Sequence, residues 1–89
     1  MSAIKIVVLH RGFVFIGPVS YRDGKNVMES GYNIRLWGTT RGLYELQSGP
    51  TESVKLDPVM FPIEWSDVQE VFRLVVDESS WSARFSELR

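Results

Sequence analysis

The apolar residues of this chain come in short runs, each closed by a glycine, a proline or a polar turn. That spacing suits strands better than long helices. Ile4–Leu9 is dense in β-branched residues and reads as a buried strand. It is interrupted by His10-Arg11-Gly12, and residues 13–16 resume the apolar pattern up to Gly17-Pro18. Two strands joined by a tight turn, or one strand bent at Gly12, both fit. Val19-Ser20-Tyr21 continues the second strand as far as Arg22-Asp23-Gly24-Lys25-Asn26. Asp-Gly there accepts the positive φ of a hairpin turn. Val27-Met28 starts a weaker strand, and Glu29-Ser30-Gly31 breaks it.

Tyr32, Ile34 and Leu36 then alternate with Asn33, Arg35 and Trp37, the period of a half-buried strand with a polar second face. Thr39 or Thr40 suits a helix cap, and residues 42–48 read as a short helix with Leu43 and Leu46 on one face. Gly49, just before Pro50, is its natural stop. Residues 54–56 are extended until Asp57-Pro58. Residues 59–65 are apolar, but Pro62 limits them to an edge strand or an irregular segment. Residues 68–77 read as strand, although Ser66-Asp67 also suits a helix cap. Trp81, Phe85 and Leu88 make one apolar stripe of a terminal helix over 79–88. The expectation is one small domain over residues 1–89. It is α+β and mostly β, a small antiparallel sheet or partly open barrel of five to six strands. One short helix follows the third or fourth strand, and a helical turn ends the chain.

Composition narrows the functional classes. The 89 residues suffice for one domain. A chain this short has a thin stability margin, so pairing with a copy or a partner would help it. Ten Lys and Arg stand against eleven Asp and Glu, a net charge of -1 that argues against broad, phosphate-driven nucleic-acid binding. Basic residues dominate between Arg22 and Arg41 and acidic ones in the second half, so a positive face and a negative face are expected. There is no cysteine and only one histidine, His10. No zinc–thiolate or His-pair metal site is therefore expected, and no cofactor. Ile4–Leu9 is too short for a signal-peptide core or a membrane span, so a soluble cytoplasmic protein is expected.

Two stretches are candidate contact sites. Arg35-Leu36-Trp37-Gly38-Thr39-Thr40-Arg41-Gly42 sets two guanidiniums, an indole and two hydroxyls across a strand-to-helix junction. Arg35, Trp37, Thr39, Thr40 and Arg41 suit an anion or a ring, through a helix N-terminus, bidentate Arg and stacking. The plainer reading makes Trp37 packing, Thr39 a cap and Arg35 the partner of a neighbouring-strand Glu. No GxxxxGK[ST] or GxGxxG motif is present. The second stretch, Met60-Phe61-Pro62-Ile63-Glu64-Trp65, offers Phe61 and Trp65 as interface residues or as core. His10 has no nucleophile or relay partner near it in sequence, so no catalytic residue is assigned.

Most of the chain resembles a family of short, mostly uncharacterised proteins encoded by tailed bacteriophages. The resemblance rests on the apolar run ending in Arg11-Gly12-Phe13 and Gly17, and on Ile34-Arg35-Leu36-Trp37-Gly38-Thr39-Thr40-Arg41-Gly42-Leu43. Gly49-Pro50-Thr51, Leu56-Asp57 and Trp81 add to it. The family pattern has Arg where Leu36 stands, Lys at Arg41 and Gly at Tyr44. The resemblance implies a phage origin and the host cytoplasm, and no established activity. The expected function is a non-enzymatic accessory protein that binds a host protein, such as a bacterial antiviral defence complex. The alternatives are a dimeric binder of a nucleotide or other anion, or a small enzyme built around His10.

Overall fold

The computed structural model describes residues 4–36, 43–51, 53–58 and 62–87. Seven strands lie among these: β1 Ile4–Leu9, β2 Val14–Arg22, β3 Lys25–Met28, β4 Tyr32–Leu36, β5 Lys55–Pro58, β6 Ile63–Trp65 and β7 Glu70–Val75. One helix, α1 Glu78–Glu87, closes the described chain. Short 3-10 turns cover His10–Gly12, Leu43–Ser48 and Asp67–Gln69. The fold is α+β and mostly β, an open antiparallel sheet with a C-terminal helix. It has seven strands rather than five to six, because Pro58 and Pro62 do not prevent short edge strands on either side of residues 59–61.

The strand order is β5-β4-β2-β1-β7, with β3 on β2 and β6 on β3. The nine-residue β2 serves both parts. Val14–Pro18 pair with β1, and residues 19–22 pair with β3. The hairpin between them turns at Asp23, φ 52°, and Gly24, φ 78°, as the Asp-Gly pair predicted. The β3–β6 ribbon therefore departs from the five-stranded layer at the middle of β2.

Both faces of β1 pack against apolar side chains, which explains why it is a continuous run instead of an alternating one. Ile6, Val14, Ile16, Ile34, Leu74 and Trp81 belong to one buried cluster, which Leu46, Val54 and Val76 complete. Trp81 anchors α1 there, its indole N–H donating to the Leu46 carbonyl at 2.8 Å. On the other face Val7 packs with Val19, Met28 and Trp65, so the ribbon covers that side. Alternate residues of β1 thus feed two cores.

Local signals explain the remaining elements. Ser66 opens the 3-10 turn at Asp67–Gln69, its N–H donating to Gln69 Oε1 at 2.8 Å. The chain then extends into β7, so the capping signal and the strand pattern are both used, in sequence. Asp77 precedes α1, and its Oδ2 accepts the Ser80 N–H at 3.2 Å. The Ser80 hydroxyl, which donates to the same oxygen, and the Ser80 N–H hold the Asp77 carboxyl below its ordinary pKa. Among the described residues no helix is long and apolar enough to cross a membrane.

Candidate functional site

Of the residues singled out in the sequence, Trp37, Thr39, Thr40, Arg41 and Phe61 lie outside the described residues. Arg35 is placed on β4 and pairs with Asp57 of β5, Nε to Oδ2 at 2.8 Å. The cross-strand carboxylate is an Asp instead of the Glu anticipated. The register slips between Ile34 and Leu36, which makes Arg35 an extra residue in its strand.

Of the two readings open for Trp65, interface or core, the structure has core. It is 2% exposed, inside the cluster with Val7, Val19 and Met28. The pairing of β6 with β3 turns its ring inward, and its indole N–H donates to Glu70 Oε1 at 2.9 Å. A side chain so covered has no surface to offer a partner.

The expected separation into charged faces also gives way. Arg22 pairs with Glu29, Lys25 with Glu64 at 4.0 Å and Arg35 with Asp57. Lys25–Glu64 and Arg35–Asp57 join the basic first half to the acidic second half across neighbouring strands, and Arg22–Glu29 mixes the signs within the first half.

One polar constellation was not legible beforehand. Asn26, buried in β3, donates to Asp67 Oδ1 at 2.8 Å and accepts from Arg73 Nη2 at 3.1 Å. Arg73 donates Nε to Glu70 Oε2 at 2.8 Å and Nη2 to Glu70 Oε1 at 2.6 Å. The two Arg73 bonds hold the Glu70 carboxyl below its ordinary pKa, and Glu70 raises that of Arg73. In a regular strand residues three apart point to opposite faces. Here the register jumps from Val8↔Phe72 to Leu9↔Glu70, leaving Val71 as a bulge. The bulge lets Glu70 and Arg73 meet. This network fastens the β3–β6 ribbon to β7, a structural task.

The bulge also shapes the edge of the sheet. Beyond it, the Val75 carbonyl faces away from β1 and accepts from Gln47 Nε2 at 3.2 Å. Asp77 N–H donates to the Gln47 carbonyl at 2.7 Å. A bulge, a charged Arg73 and a covering 3-10 turn are the usual means of blunting an edge against strand addition.

Exposed apolar side chains lie at the end of the sheet where β1 stops. Leu9 N–H donates to the Phe13 carbonyl at 2.8 Å, so Phe13 flanks Leu9 on one side while Glu70 and Val71 flank it on the other. Phe13 is 53% exposed, Val71 53% and Val68 82%. Phe13 stacks on Phe15 with ring centroids 6.3 Å apart, and Phe15 and Leu9 lie at the margin of the ribbon-side core. The ribbon stops short of this end. His10 bridges the two loops here, its Nε2 lying 3.1 Å from the Val68 carbonyl, which accepts the ring N–H. The single histidine thus holds Val68 beside the patch. Sequence reasoning missed Val68 and Val71 because strand residues of that kind read as core.

Among the described residues no group of three His, Cys, Asp or Glu gathers as a metal site. Searches of protein-family models, curated proteins and solved structures find no match to this chain.

Proposed function

We propose that this chain is a non-catalytic accessory domain that acts by binding another protein through the patch formed by Leu9, Phe13, Val68 and Val71. The observation that carries the reading is the exposure of three large apolar side chains together at one end of a sheet whose β7 edge is blunted. Exposed apolar groups gathered in this way favour a protein partner, with the aromatic Phe13 as the natural anchor. The engagement of His10 with the Val68 carbonyl supports a structural role for that residue. The likeness to small tailed-phage proteins suggests the partner: a host protein of the bacterial cytoplasm, in the class of antiviral defence complexes.

The test is capture from bacterial lysate with the immobilised wild type and with the double variant Phe13→Ser, Val68→Ser. A stoichiometric partner held by the first and released by the second is expected. Equal retention by both, or no stoichiometric partner, overturns the reading.

A further inference from the structure

A groove of about 620 Å³ lies between α1 and the opposite end of the sheet, where β1 begins and β5 stops. Tyr32 and Phe85 stand in it with ring centroids 5.2 Å apart and planes tilted by 33°. Pro58 is the cross-strand partner of Tyr32, and Pro18 that of Ile4. Neither proline has an N–H to offer. The Ile4 N–H is already donated to Glu78 Oε1 at 2.9 Å. These three positions of the sheet end therefore present no free donor. From α1, Ser82 and Ser86 add hydroxyls that accept as readily as they donate. Among the described residues Glu29 supplies the one formal charge in the lining, and it is negative. Arg22, which bonds Glu29 Oε1, lines a separate hollow at the hairpin together with Lys25.

We infer that this groove is a binding site for a small organic cation, with a ring or short aliphatic body against Tyr32 and Phe85 and an ammonium directed to Glu29 and the serine hydroxyls. The negative faces of the two rings add to the attraction for a cation. The volume falls in the range of small-ligand sites, roughly 300–1,000 Å³. The same lining disfavours phosphates and carboxylates. This site does not depend on the protein-docking patch. The two lie at opposite ends of β1, about 17 Å apart at the usual strand rise.

The experiment is an amide-resolved NMR titration of the full chain with phenethylammonium and, separately, with phenylacetate, which has the same ring and the opposite charge. Phenethylammonium is expected to shift the Tyr32, Ser82 and Phe85 signals saturably at millimolar concentration. Phenylacetate is expected to bind at least about fivefold more weakly, the scale of one partly exposed charge pair. Glu29→Gln, at an exposed side chain, should fold and should lower the amine affinity by about the same factor. Ser82→Trp should block both probes. Equal affinity for the two probes, no saturable shift, or an unchanged amine affinity in Glu29→Gln overturns the inference.

Discussion

Gly17 and Gly31 cross in backbone contact: a Cβ built on either one lies 3.1 Å from the Cα of the other. The segment from Glu29 to Gly31, between β3 and β4, runs directly over the bend in β2. A Cβ on Gly17 would also strike the Ser30 carbonyl oxygen, and one on Gly31 the Ile16 carbonyl oxygen. Both obstacles are backbone, so neither can swing aside. Gly31 also has φ 148°, a conformation that L side chains rarely adopt. Gly17→Ala is therefore expected to force the crossing apart at a cost of about 1–3 kcal/mol. Thermal unfolding should show a fall of about 4–8 °C for each kcal/mol. Gly24→Ala meets open space and suffers only from its φ of 78°, so it should cost less than Gly17→Ala.

The Glu70–Arg73 pair predicts a pH dependence with a definite sign. The folded-state pKa of Glu70 lies below its unfolded value, because Arg73 bonds its carboxylate. Its contribution is therefore present above the unfolded pKa, near 4.5, and is lost as pH falls through the lower folded value. Glu70→Gln should destabilise the protein by about 1–3 kcal/mol at pH 7, the scale of hydrogen bonds to charged groups. The gap between variant and wild type should shrink on acidification. Urea titrations at pH 7 and at pH 3 measure both.

Trp81 joins α1 to the 3-10 turn at Leu43–Ser48, and both its ring and its N–H are engaged. Trp81→Ala is expected to cost about 3–5 kcal/mol. That is comparable with the whole stability of a small domain, so circular dichroism should find this variant largely unfolded. Trp81→Phe keeps an aromatic ring but leaves the buried Leu46 carbonyl without its donor, a loss of about 1–3 kcal/mol in a urea titration.

Arg35 and Asp57 form an exposed cross-strand pair, with side chains 63% and 41% accessible. Solvent screening limits such pairs to about 0–1 kcal/mol. Arg35→Ala should therefore leave the thermal midpoint nearly unchanged.

Val68→Ser removes a side chain that is almost wholly exposed. It should change stability by no more than about 0.5 kcal/mol. Its effect is expected in partner capture instead, which separates a contact role from a structural one when both are measured on one preparation.

Segmentation of the chain was largely legible in the sequence. The β-branched run at Ile4–Leu9, the Asp23-Gly24 turn, the break at Gly31, the short helical turn before Gly49 and the Trp81 helix all depend on neighbours close along the chain. The candidate site was less legible. Trp65 and Val68 both sit in mixed apolar and polar stretches, yet one is core and the other is the most exposed large apolar side chain among the described residues. Local pattern does not separate them, because burial depends on which strand arrives opposite.

By itself, the sequence determined the approximate segments and where the chain turns, since backbone preference and hydrophobic period act over a few residues. Only the tertiary structure decided that β2 serves both the main layer and the ribbon, that Gly17 meets Gly31, and that a bulge at Val71 brings Glu70 to Arg73. It also decided that the ribbon folds Trp65 in against Val7 while Phe13 and Val68 stay bare. These relationships join residues far apart in the chain. They are set by strand register and packing, in which a shift of one residue reverses the face a side chain occupies.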